Sequence, residues 1–89
     1  MFTLVWDQPA FDQMNALILW YPARRSELAA TLQTLDRELH QRADVWGESR
    51  ESQNVRLGYV GALSVLVRIE PDDQVVYIME VRLRPDVVL

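Results

Sequence analysis

The stretch from Leu63 to Leu83 limits the possible folds more than any other. Leu63-Ser64-Val65-Leu66-Val67-Arg68-Ile69 and Val75-Val76-Tyr77-Ile78-Met79-Glu80-Val81-Arg82-Leu83 are rich in β-branched and aromatic residues. Between them stands Glu70-Pro71-Asp72-Asp73-Gln74, an acidic, turn-forming run. This pattern predicts a β-hairpin. With Glu70 to Gln74 as its loop, Ile69 stands opposite Val75, Val67 opposite Tyr77, Val65 opposite Met79 and Leu63 opposite Val81. Alternate residues of a strand point the same way, so these side chains form one core face. Ser64, Leu66, Arg68, Val76, Ile78, Glu80 and Arg82 then form the other face, apolar at its centre with arginines toward its edges. A slip of one residue would bury Arg68 and Arg82, so one register is favoured.

The rest of the chain supplies a cover for that core face. Phe2-Thr3-Leu4-Val5-Trp6 reads as a short strand. Asp7 is a candidate helix cap, and Pro9 is tolerated in the first turn that follows. Phe11, Met14, Leu17, Ile18 and Tyr21 recur at three- and four-residue steps and predict one apolar helical stripe. Pro22 disfavours helical geometry at Tyr21, so this helix should stop near Trp20. Leu28, Leu32, Leu35 and Leu39, with Ala43 extending the line, mark a second amphipathic helix. Its opposite face carries Arg24, Glu27, Gln33, Arg37, Gln41 and Asp44. Asp44 to Gln53 has no periodicity and reads as an exposed loop. Asn54 to Val60 reads as a further strand.

One loop length decides where Arg56 points. A three-residue turn of Val60, Gly61 and Ala62 sets Tyr59 opposite Leu63 and Leu57 opposite Val65. Arg56 then shares the outer face with Arg68 and Arg82. A two-residue turn would put Arg56 on the core face, at a much higher desolvation cost. The three-residue turn is therefore the expectation.

At 89 residues the chain is a single domain with one modest core. With no Cys it can form neither a disulfide nor a thiolate metal site. A net charge of −4 argues against coating nucleic acid by bulk charge. All nine basic residues are Arg, the side chain suited to bidentate phosphate contacts, although a GC-rich genome gives the same bias. No apolar run reaches the ~20 residues that span a bilayer, so a cytoplasmic protein without a membrane partner is expected. His40 stands alone, and neither a metal site nor a catalytic triad can be built on one histidine. Asp72 and Asp73 read as turn formers. Trp6, Trp20 and Trp46 read mainly as packing residues, with Trp20-Tyr21 placed to meet a partner.

The order strand, helix, helix, Gly/Arg loop and three-stranded meander resembles the RelE/ParE superfamily of type II toxins. The most specific part is the ending Val65-Leu66-Val67-Arg68-Ile69, acidic turn, Val75-Val76-Tyr77-Ile78-Met79-Glu80-Val81. Trp46-Gly47-Glu48-Ser49-Arg50 also resembles a loop found in small bacterial members. The resemblance implies an α+β fold: an N-terminal helical hairpin on a twisted, mainly antiparallel sheet of about four strands. It implies a toxin held by a cognate antitoxin, in a hetero-oligomer or as a homodimer, with no cofactor and no metal. In the branch that cleaves mRNA on the ribosome, basic residues stabilise the phosphate while a proton acceptor activates the ribose 2′-hydroxyl. Carried over by position, those residues are Arg56, Arg82 and Arg84. Arg50, Arg68, Leu66 and Ile78 would contact RNA or the partner. The chain departs from that pattern at Gly61-Ala62-Leu63-Ser64, where an arginine is frequent, and beyond Arg84, where no Tyr or His follows. A gyrase-directed toxin or a non-catalytic relative on the same fold is the alternative. The bland reading pairs the arginines with Glu70, Glu80 and Asp86.

Overall fold

The computed structural model describes residues 1–50 and 52–84, with the backbone alone at residue 53. Glu51 and the tail from Pro85, including Asp86, lie outside the described residues. The chain runs β1 (Thr3–Trp6), α1 (Gln8–Trp20), α2 (Arg25–Arg42), β2 (Glu48–Arg50), β3 (Ser52–Val60), β4 (Leu63–Glu70) and β5 (Val75–Leu83). One five-stranded sheet has the order β1-β5-β4-β3-β2. Only β1 runs parallel to its neighbour, β5, and the other pairings are antiparallel. The expected first strand forms, at one edge of the sheet. The expected loop contains a fifth strand, β2, that closes the opposite edge.

Both helices lie on one face of the sheet. Pro9 sits in the first turn of α1, and the helix ends at Trp20, before Pro22. Asp7 occupies the cap position, but its side chain makes no capping hydrogen bond. Ala10, Met14 and Leu17 bury one side of α1; Leu28, Leu35 and Leu39 bury one side of α2. They close over Leu63, Val65, Val67 and Ile69 of β4 and over Val76, Ile78 and Val81 of β5. The β4 strand alternates buried and half-buried residues along its whole length, as one covered face requires. His40 at the end of α2 stitches the layers together. Its Nδ1–H donates to the Phe2 carbonyl, and the Phe2 N–H donates to the His40 carbonyl.

Two turns differ from expectation by one residue each, and each difference inverts a strand. The β4–β5 loop is Pro71–Gln74, so Glu70 pairs with Val75 and Ile69 with Val76. Gln74 adopts φ 54°, which lets the loop close a residue earlier. Val76 and Ile78 therefore point into the core, while Tyr77 lies opposite Arg68 on the other side. A register shift between Leu66 and Val67 then restores the parity, and Val81 meets Val65 in the core. Ile78, expected on an outer apolar patch, is fully buried.

The β3–β4 turn is the two-residue Gly61-Ala62, with Val60 opposite Leu63. Gly61 has φ +54°, and a Cβ there would lie 2.7 Å from the Thr31 hydroxyl. Arg56 consequently pairs with Val67 and faces the helix side. The desolvation cost that argued against this arrangement is avoided because Arg56 stands near the sheet edge and is half-buried. Its guanidinium donates to the carbonyls of Trp46 (3.3 Å) and Asp44 (3.4 Å). The Trp46 ring fills the adjoining space by lying over Gly58, where a Cβ would come within 2.4 Å of it.

Candidate functional site

The uncovered face of the sheet carries arginines, tyrosines and aliphatic side chains, and strand register arranges them in rows. Tyr59, Ser64 and Arg82 stand side by side across β3, β4 and β5. Leu57, Leu66 and Glu80 form the next row. Val55, Arg68, Tyr77 and Val5 form the third. Successive rows are roughly 7 Å apart, two residues along a strand. Two rows that pair arginine with tyrosine thus flank one that is mostly apolar.

Each arginine on this face already has a neighbour. Arg68 lies over the Tyr77 ring, 4.4 Å from its centroid, and is ion-paired with Glu70. Arg82, 70% exposed, is 3.0 Å from Glu80. Arg84 lies 5.0 Å from the Tyr59 ring centroid and its Nη1 donates to the Gly61 carbonyl at 3.4 Å. Arg50 belongs to β2 at the sheet edge, 3.6 Å from Glu48. These Glu partners are the ones the bland reading expected for Arg68 and Arg82.

The expected trio is therefore split. Arg82 and Arg84 occupy one end of the uncovered face, whereas Arg56 is on the opposite face and bonded to loop carbonyls. A phosphate held by Arg82 cannot also be reached by Arg56 through the sheet. Leu66 and Arg68 lie on the uncovered face as expected; Ile78 does not. His40 is occupied where the end of α2 meets the start of the chain, with Phe2 and Asp36. Among the described residues, no three His, Cys, Asp or Glu side chains are grouped as a metal site needs. Among them also, no helix is long and apolar enough to cross a membrane.

A second feature lies on the helix side and was not anticipated. An apolar cleft of about 380 Å³ opens between α1, α2 and β1, lined chiefly by Leu4, Trp6, Phe11, Met14, Ile18 and Leu32. Phe11, placed by spacing on the buried stripe, is 52% exposed at its rim. The signal available in the sequence was a stripe with more large apolar side chains than a four-residue strand and one helix can cover.

No family model matches the sequence, and no curated protein matches it. Solved structures do. A chain of the chromosomal ParDE TA system from P. aeruginosa superimposes with a TM-score of 0.74 at 19% identity, over 93% of this chain and 96% of that one. A chain of the toxin–antitoxin complex RelBE2 from Mycobacterium tuberculosis gives a TM-score of 0.72 at 23% identity, over 96% of this chain and 93% of that one. This is the RelE/ParE fold. The superposition spans nearly the whole length on both sides, so the helical hairpin, the sheet and the uncovered face all belong to the RelE/ParE arrangement. At these identities the likeness speaks for the fold and leaves the chemistry to the side chains.

Proposed function

We propose that this chain is the toxin of a type II toxin–antitoxin pair and that it acts by binding its target, not by cutting RNA. The placement of Arg56 and Arg82 on opposite sides of the sheet carries this reading, because the cationic cage for a scissile phosphate then loses a member. A further feature supports it. The uncovered face combines Tyr, Arg and aliphatic side chains with nearby carboxylates, a composition that suits a protein surface better than a polyanion.

In this reading the surface around Tyr59, Arg82 and Arg84 contacts the target, of which gyrase is the candidate from the superfamily. The cognate antitoxin holds the toxin by seating an amphipathic segment in the cleft between α1 and α2. Inducing the chain in a bacterial host tests the proposal. Growth arrest with stalled replication and intact transcripts is expected, and co-expression of the cognate antitoxin should relieve it. Codon-linked mRNA cuts in a primer-extension assay would overturn it. Phe11→Arg should abolish relief by the antitoxin while leaving the arrest in place.

A further inference from the structure

The two ends of β5 are not equally protected. β1 pairs with β5 only as far as Trp6 opposite Ile78, yet β5 continues to Leu83. On its other side, residues 80 to 83 are fully paired with β4. Among the described residues, no strand covers the far side of residues 79–83. The Val81 N–H points to that open side and is held by a side chain, the Gln13 Oε1, at 2.8 Å. A cleft of about 290 Å³ runs beside it, lined by Gln13, Ala16, Leu17, Trp20, Arg82 and Leu83. Trp20 there is 72% exposed. Open strand edges of this kind are templates for another strand.

We propose that the free half of β5 pairs with the same segment of a second copy, antiparallel and two-fold symmetric about Val81. This goes beyond the toxin reading and does not depend on it. The charge pattern selects both the partner and the register. Centring the two-fold on Val81 sets Glu80 opposite Arg82 of the second copy, and Arg82 opposite its Glu80. Centring it on Arg82 would instead place like charges face to face, which disfavours that register. A self-complementary Glu-Val-Arg sequence on an open edge is what an isologous contact requires. On pairing, Gln13 releases the Val81 N–H, which donates to the Val81 carbonyl of the other copy. Trp20 at the rim of the cleft loses its exposure to water.

Sedimentation of the purified full chain over a range of concentrations provides the test. A reversible monomer–dimer equilibrium is expected. Glu80→Arg or Arg82→Glu alone puts like charges opposite each other twice in the symmetric pair, and should raise the dissociation constant by about tenfold or more. The double reversal E80R with R82E should restore most of the lost affinity. Circular dichroism establishes that each variant is folded. A second arm covers a variant that fails to fold: because the chain has no Cys, mixing E80C chains with R82C chains should yield an oxidised cross-link that neither gives alone. A monomer at every concentration would overturn the proposal, as would a double reversal no tighter than the single ones or a mixture that does not cross-link.

Discussion

The two faces of the sheet are built from the same strands and solve different problems. On the covered face, Val65, Val67 and Ile78 are fully buried beneath Leu28, Leu35 and Leu39. On the uncovered face, Leu66, Arg68 and Tyr77 are only half-buried, and arginines lie along tyrosine rings. The covered face makes the fold, because removing apolar area from water is the main favourable term available to a chain this small. The uncovered face contributes less to stability and is free to carry recognition.

The sharpest way to break this contrast is a matched pair of truncations. Leu35→Ala should cost about 3 kcal/mol in urea unfolding, because a fully buried side chain leaves a cavity. Leu66→Ala should cost only about 1 kcal/mol, since its side chain is already partly in water. Equal losses would mean that the outer face is a second core. Gly58→Ala comes next. Its new methyl would meet the Trp46 ring, so a loss of about 2 kcal/mol and a shifted Trp emission are expected. An unchanged melt would show that Trp46 can swing aside at little cost.

The smallest stability effects separate the two arginines. Arg56→Ala should cost about 1 kcal/mol through its carbonyl contacts and leave growth arrest intact. Arg84→Ala should change stability by about 0.5 kcal/mol or less and abolish growth arrest in an induction assay. The reverse outcome, with Arg56 needed for arrest and Arg84 dispensable, would place the target contact on the helix side.

Much of this architecture can be read from local pattern. The leucines of α2, the stop at Pro22, the three C-terminal strands and the turn at Gly61 all follow from periodicity and backbone preference. Facing is less legible. A strand repeats every two residues, so a one-residue error in a loop exchanges its faces completely. The desolvation argument for a three-residue turn at Gly61 assumed that the core face is apolar from edge to edge. It is not: near β2 the helices give way, and loop carbonyls receive a guanidinium. In β5 the four-residue loop and the register shift cancel, which is why Val81 and Arg82 point as expected while Tyr77 and Ile78 do not. The apolar cleft was hidden for a related reason. Helical spacing shows which residues share a stripe, not how much of that stripe a short edge strand can reach.

The parallel pairing of β1 with β5 has a temporal consequence. Thr3 is aligned with Val75, and the sole strand partner of β1 among the described residues is β5, which leaves the ribosome after every other described strand. A nascent chain therefore holds its first strand without a mate while both helices and the meander emerge. The β1 edge of the sheet is completed only once β5 has emerged, and this long-range closure should set the tempo of folding.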